Sequence, residues 1–569
     1  MIINKHHYYF FALCNLFILG SIAQTLPVGT PLLEDYYRRE QLLGRLDSSL
    51  SFSVRPLTYQ ALNTENIFSP DSAFSVLSSP IYTKDGAGAL QLMPAQWKNQ
   101  LTSTFPYGRN DAAMIPNVGY QAMFSAGVSF RYRFFSIQVN PEIVLAQNAA
   151  YDGYNGLVRE SWRNWYRVIG NRMDKPERFG TGWYSRILPG QSSVRLNFHP
   201  VSFGLSTENL WWGPGLHNSL LMTNTAPGFA HLTLNTTRPI RTPVGSFEGQ
   251  LIGGRLEASG YPPTPLGNPD HYDQFYRPKP DDWRYLSGVV LTYQPKWVPG
   301  LSLGITRAFT VYSESLGSKL SNYLPFLASG LKSSFVNPDS SGNSNAEEQL
   351  GRDQLASVFL RWVIPKEGAE VYFEYGRNDH PWDTRDLFVQ LEHSRSYVLG
   401  FRKLTPIRWF DEDDVLQVQA EITQSEGPKD VPIRPGGPWY GHSQIRHGYT
   451  HLGQLIGTGI DPGSNTQTLN ISWIRNMKQL GLQVERYVHN NDFFYVHNRD
   501  ERRHWVDLSF MLYGEWNYKR FLARSQMQFV HAYNYQYELE ERYEAENFWI
   551  FKKQDKGNFQ FQIDLVYRF

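Results

Sequence analysis

Apolar and polar residues alternate with a period of two in one segment after another of this chain. Across residues 120–134, Tyr120, Ala122, Phe124, Ala126, Val128, Phe130, Tyr132 and Phe134 share one parity. Gln121, Met123, Ser125, Gly127, Ser129, Arg131 and Arg133 hold the other. Successive side chains of a strand point to opposite faces, so this pattern predicts strands with one greasy and one wet side. Ala356, Val358, Leu360, Trp362 and Ile364 share a face. After Pro365-Lys366-Glu367-Gly368, Ala369, Val371, Phe373 and Tyr375 oppose Glu370, Tyr372 and Glu374, which reads as a hairpin. Residues 288–293 and 301–305, joined through Pro299-Gly300, predict another. Leu416, Val418, Ala420 and Ile422 alternate with Gln417, Gln419, Glu421 and Thr423.

The C-terminal strands are the clearest. Val506, Leu508, Phe510, Leu512, Trp516 and Tyr518 share a face, Lys519-Arg520 makes a tight turn, and Phe521, Ala523, Met527 and Phe529 continue the apolar side against Arg524, Gln526 and Gln528. The last twelve residues, NFQFQIDLVYRF, put Phe559, Phe561, Ile563, Leu565, Tyr567 and Phe569 on one parity. Gln560, Gln562, Asp564 and Arg568 take the other, with Val566 the one apolar intruder.

A soluble β-sandwich also alternates, with one face in its core. Three features favour a membrane barrel instead. The polar face is rich in Gln, Arg, Glu and Asn, as a hydrated lumen requires. Aromatic residues gather at strand ends, as interfacial girdles do. The closing strand matches the roughly 9–11 residues of a tilted membrane strand. In hydrocarbon every backbone N–H and C=O must pair within the protein, so a sheet there must close on itself. A closed barrel can end on a strand residue, because that strand pairs with the first. In outer-membrane barrels generally, a final strand ending in an aromatic is what the barrel-insertion machinery reads. Phe559, Phe561, Ile563, Leu565, Tyr567 and Phe569 are therefore the candidate insertion signal.

The N-terminus fits export. Residues 1–23 carry a short polar opening, the apolar run YYFFALCNLFILG, and Ser21-Ile22-Ala23 as a small-x-small cleavage site. They read as a signal peptide with the mature start at Gln24. Cys14, inside that run, is the chain's one cysteine, so the mature protein has no disulfide and no thiolate chemistry. Residues 32–46, LLEDYYRREQLLGRL, have helical spacing. They predict a short helix in a periplasmic segment, residues 24–49, before a first strand at about residues 50–57, with the barrel and its extracellular loops filling 50–569. Residues 63–88, 260–283 (proline-rich), 316–349 (with SSGNSN at 340–345) and 542–546 read as loops.

Composition changes little in this picture. Lys+Arg number 54 against 53 Asp+Glu, which gives no argument for nucleic acid, and aromatics make up 15% of the chain, which suits interfacial girdles.

The stretch Asn209-Leu210-Trp211-Trp212-Gly213-Pro214-Gly215 resembles the Wzi family of capsule-assembly outer-membrane proteins. Residues 446–461, RHGYTHLGQLIGTGID, are similar to that family's loop rich in His, Tyr and Gly. Residues 180–196, GTGWYSRILPGQSSVRL, precede the first block as expected. The resemblance implies an eighteen-stranded, obstructed outer-membrane barrel with a small helical element on the periplasmic side. It also implies that the protein holds capsular or related surface polysaccharide as a lectin-like anchor rather than as an enzyme. The extra length at 260–283 and 316–349 offers a docking surface for a protein partner. Alternative readings are a porin or exporter, or a structural subunit of a larger outer-membrane complex.

Trp211 and Trp212 are candidates to stack indole faces on sugar C–H surfaces. The plainer reading is a structural turn with one Trp buried and one at the bilayer interface. Trp439, Tyr440, His447, Tyr449 and His451 form a second candidate polysaccharide-binding cluster. His447 and His451 lie four apart, but the surrounding glycines argue against the helix that zinc ligands at that spacing need. Asp411-Glu412-Asp413-Asp414 reads as a solvated loop tip rather than a calcium site. Residues 441–445, GHSQI, lack the glycine a nucleophile elbow requires. No catalytic residue, metal or cofactor is expected.

Overall fold

The structure, a computed structural model, describes residues 25–64, 66–70, 80–151, 164–263, 275–327, 351–378, 381, 383–428, 436–498, 500–538, 548–550 and 553–569. The expected leader at 1–23, the stretch 340–345 and the polar loop at 542–546 lie outside them.

Eighteen antiparallel strands form one wall. β1 (Gly88–Tyr107), β2 (Asn117–Tyr132), β3 (Phe135–Val139 with Glu142–Ala146), β4 (Tyr184–Leu188 with Ser193–Phe198), β5 (Val201–Ser206) and β6 (His231–Thr236 with Ile240–Thr242) come first. Next are β7 (Gly245–Leu256), β8 (Arg284–Pro295), β9 (Leu301–Tyr312), β10 (Arg352–Ile364), β11 (Ala369–Asn378) and β12 (Arg395–Pro406). The last are β13 (Val415–Gln424), β14 (Asn465–Arg475), β15 (Lys478–Val488), β16 (Val506–Tyr518), β17 (Phe521–Tyr533) and β18 (Lys556–Tyr567). Each strand pairs with the next, and β18 pairs with β1, with Gln560 opposite Thr102 and Tyr567 opposite Ala95. The sheet has no free edge, as lipid demands.

Burial fixes which side meets lipid. Phe510 (46% exposed), Leu512 (52%) and Trp516 (49%) point outward, whereas Asp507 (1%), Ser509 (2%) and Glu515 (3%) on the same strand are buried. A soluble sandwich would show the opposite. The hairpin of β10 and β11 obeys the same rule: Val358 and Trp362 face out, and Glu370 and Glu374 face in, fully buried. At one end the turns are short, as at Arg133-Phe134, Asn476-Met477 and Lys519-Arg520. At the other, loops such as 207–230, 257–283 and 425–464 run long. Short periplasmic turns and long extracellular loops are the usual polarity of such barrels.

The segment before β1 behaves differently from its prediction. The helix is present as α1 (Pro31–Leu42). Pro31 occupies the first turn, where its missing N–H costs nothing, and the Glu34 carboxylate reaches back to accept from Gly29 N (2.9 Å) and Thr30 N (3.2 Å). α1 sits inside the turn-side mouth, with Arg38 and Arg39 buried against the wall. The strand expected at about residues 50–57 is not part of the wall, whose first full strand begins at Gly88. Only two-residue pieces form there: Val54–Arg55, opposite Trp212 and Trp211, and Leu57–Thr58. Pro56 has no N–H to give a ladder, and the alternating stretch is too short to cross a bilayer. It is extended chain folded into the lumen. Val566 finds its reason here: it turns inward from β18 and packs in the apolar cluster of this plug with Leu26, Leu33, Phe68, Met93 and Leu522.

Candidate functional site

The lumen is filled from both ends, and buried charge holds the filling. From the turn side, Arg38 of α1 pairs with Glu370 of β11 (3.0 Å), which also pairs with Arg361 (2.6 Å) of β10. Arg402 of β12 reaches Asp35 at 2.7 Å. Burial alone would raise the Asp35 carboxyl, but Arg402 and Arg39 override it and hold it well below the usual carboxylate range. Arg38 also donates to Pro214 O at 2.7 Å, tying α1 to the loop that descends from the other side.

That loop is the Trp-Trp-Gly-Pro-Gly segment. Its backbone N–H groups at Leu216 (2.8 Å), His217 (3.1 Å) and Asn218 (2.8 Å) all donate to the Glu421 carboxylate on β13, which also accepts from Tyr372 OH (2.7 Å). Glu374 accepts from Ser219 Oγ (3.0 Å), Leu220 N (3.2 Å) and Ser357 Oγ (2.7 Å). Past the two-residue pairing of Trp211 and Trp212 with Arg55 and Val54, the loop must satisfy its amides elsewhere, and two wall carboxylates do so. Gly213 has φ +130°, and a Cβ at Gly215 would lie 1.7 Å from Asn218 O, so the turn needs both glycines.

The seven residues expected to bind polysaccharide are each 4% exposed or less. Trp212 lies over Gly288, where a Cβ would meet its ring at 2.8 Å, and donates from Nε1 to Gln250 Oε1 at 2.8 Å. Trp211 carries the Arg55 guanidinium 4.3 Å above its ring. Neither Trp stands at the bilayer interface. Tyr440 donates to Leu220 O (2.7 Å) and stacks with Tyr449 at 5.9 Å; Trp439 donates to Ser394 O (3.1 Å). His447 Nδ1 meets Tyr312 OH (2.8 Å), and His451 Nδ1 accepts from Glu257 N (3.1 Å). Burial lowers both imidazoles to about 3, with Arg284 adding to the effect, so both are neutral at ordinary pH. The two motif loops thus pack on one another and on the inward apolar side chains of β7–β12, such as Ile252, Leu286, Val290 and Phe359. Of the seven, Trp211 borders open space.

That space is a chamber of about 310 Å³ between the plug and the opposite half of the wall. β13 contributes Gln417 and Gln419, β15 Gln479 and Gln483, β17 Gln526 and Gln528, and β18 Gln560 and Gln562. The side chains form rows across the strands. Gln526, Gln562, Gln100 and Gln121 are register neighbours on β17, β18, β1 and β2, and their amides hydrogen-bond in series, with Gln562 Oε1 accepting from Gln526 (3.1 Å) and Gln100 (3.0 Å). One row nearer the turns, Glu515, Arg524, Asp564 and Lys98 alternate in sign across β16, β17, β18 and β1. The sequence carried a signal for this wall: three Gln-apolar-Gln triplets, at 417–419, 526–528 and 560–562, each placing two amides on one face. Reading them only as a wet face missed the chamber.

The chain matches the family described as capsule assembly protein Wzi over residues 117–538. No curated protein matches it. Among solved structures it is similar to Wzi of Escherichia coli, described as an outer membrane protein involved in group 1 capsule assembly and a carbohydrate-binding β-barrel. The TM-score is 0.59 at 11% identity, over 96% of this chain and 100% of that one. OprD from Pseudomonas aeruginosa (TM-score 0.36, 7% identity, 84% of this chain and 93% of that one) and a BenF-like porin from Pseudomonas fluorescens (0.39, 6%, 84% and 99%) are too distant in geometry to carry an argument. The Escherichia coli structure supports the closed eighteen-stranded barrel, and the family match spans well over half the sequence: the chain belongs to the Wzi family of capsule assembly proteins.

Proposed function

We propose that this protein is an outer-membrane anchor that holds capsular or related polysaccharide at the cell surface, by binding and without catalysis. The observation that carries this reading is the filled lumen: α1 is fixed to the wall through buried Glu370, and the Trp-Trp-Gly-Pro-Gly loop, on which the second inward loop packs, through buried Glu374 and Glu421. A barrel so packed is built to present a rigid outer face rather than to pass solutes. The carbohydrate binding described for the similar Escherichia coli barrel supports the same reading. The buried aromatics Trp212, Trp439, Tyr440 and Tyr449, with His447 and His451, serve this role as the loop core that keeps the extracellular face in one shape. Trp211 remains the candidate of that set with access to open space. The leader, the C-terminal strand from Phe559 to Phe569 as insertion signal, and a protein partner on the long extracellular loops belong to the same proposal.

The test is a deletion strain assayed for cell-associated against shed surface polysaccharide, alongside binding of the purified glycan to the purified barrel. The reading expects polysaccharide to move into the medium on deletion, and saturable binding in vitro. Unchanged retention together with no binding would reject it.

A further inference from the structure

We infer that the glutamine-walled chamber is a binding site for a small, uncharged, hydroxyl-rich solute, a neutral saccharide unit, separate from the extracellular face. Its volume, about 310 Å³, is at the low end of the roughly 300–1,000 Å³ of small-molecule sites and far above the roughly 30 Å³ share of one water. The choice of a saccharide over another neutral polyol rests on the carbohydrate-holding reading above.

Two properties of the wall select the ligand. The first is hydrogen-bond polarity. Gln528 and Gln560 each turn their amide nitrogen into the wall, toward Ser509 Oγ (3.2 Å), and Thr102 Oγ1 (3.2 Å) with Tyr107 O (2.9 Å). Gln526 does the same toward Gln562. Their carbonyl oxygens receive no donor among the described residues, and the Gln483 side chain has no hydrogen-bond partner there. The chamber therefore offers amide acceptors to a ligand that brings several O–H donors. The second property is charge. Glu34 pairs with Arg55 (3.1 Å), Asp35 with Arg402 (2.7 Å), Glu485 with Arg109, and Glu515 with Arg524 (3.2 Å). Lys98, Asp111 and Asp564 also line the chamber, and its six cationic side chains match its six acidic ones, so it carries no net charge and a charged ligand would lose its hydration without a net gain of counter-charge. Trp211 adds an aromatic border at the plug side.

The experiment is titration calorimetry of the purified full chain in detergent with D-glucose and D-galactose, and with D-glucuronate as the charged counterpart. The variants are Gln483→Leu, which removes an amide, and Gln483→Trp, which fills the chamber; heat-modifiable gel mobility confirms that each is folded, and Gln528→Leu replaces either that is not. At least one neutral hexose is expected to bind in the millimolar range, glucuronate at least tenfold more weakly, and both variants to weaken the hexose at least tenfold. No hexose binding, equal binding of glucuronate, or variants that bind like the parent would each overturn the inference. The variants are expected to retain surface polysaccharide as the parent does. Loss of hexose binding with retained polysaccharide separates this site from the anchoring face, whereas an unmodified barrel that retains no polysaccharide contradicts the anchoring role itself.

Discussion

Removing the Glu421 carboxylate tests how the Trp-Trp-Gly-Pro-Gly loop is held. In Glu421→Ala, three backbone donors, at half-buried Leu216 and His217 and at buried Asn218, lose their acceptor, and so does the Tyr372 hydroxyl. Each buried donor left unsatisfied costs about 1–3 kcal/mol, so the three amides alone cost roughly 3–9 kcal/mol. Water entering from the adjoining chamber, which Leu216, His217 and Asn218 border, would recover part, leaving roughly 3–6 kcal/mol. At about 1.4 kcal/mol per tenfold, the amides of residues 216–218 should exchange hydrogen about 10²–10⁴ times faster, while the strand amides of β13 stay protected. Glu421→Gln keeps one acceptor oxygen and should fall between. Glu374→Gln should loosen residues 219–220 and leave 216–218 slow. Hydrogen exchange read by mass spectrometry in detergent resolves these segments. Exchange at 216–218 that stays within tenfold of the parent in Glu421→Ala would refute the view that a wall carboxylate holds this loop.

The other predictions concern the plug and the loop core. Glu370→Gln leaves Arg38, Arg361 and Arg402 facing one another without their shared carboxylate, so the turn-side plug should lose about 3–5 kcal/mol, seen as protease cutting within residues 31–42. Gly288→Val sets a branched side chain where the Trp212 ring already lies, and should displace the indole, cut the thermal midpoint and shift tryptophan emission, whereas a lipid-facing change such as Leu512→Val should not. His447 and His451 have folded values near 3, below the usual 6.5, so their contribution is whole above pH 6.5 and is lost as pH falls from 6.5 toward 3. At pH 5 each costs about 2 kcal/mol, and limited proteolysis across residues 436–464 should run faster than at pH 7.5.

The wall was legible in the sequence because lipid imposes one rule on every strand: Val358 and Trp362 out, Glu370 and Glu374 in. The same alternation gave the β18 residues Phe559 and Gln560 their sides. It could not tell a wall strand from an extended piece inside the lumen, and residues 50–57 show why. Leu50, Phe52 and Val54 alternate as a strand would, but Leu50 and Phe52 pack in the plug and Val54 against the cluster of Trp212, over 150 residues away. The binding candidates failed to present themselves for a related reason. Trp-Trp-Gly-Pro-Gly marks a tight turn with large rings whether those rings meet a ligand or a core, and only the three-dimensional neighbours, Gln250, Gly288 and Glu421, decide. The chamber was the converse: Gln417, Gln526 and Gln560 were visible as a polar face, but their convergence needed the register of β13 to β18.

Single-channel recording in planar lipid bilayers tests the central claim most directly, that this is a closed, lipid-facing barrel whose lumen is filled from both ends. The purified chain should insert and show almost no conductance, while Glu370→Gln should show intermittent openings as the plug loosens. A steady, porin-like conductance from the unmodified protein would contradict the account.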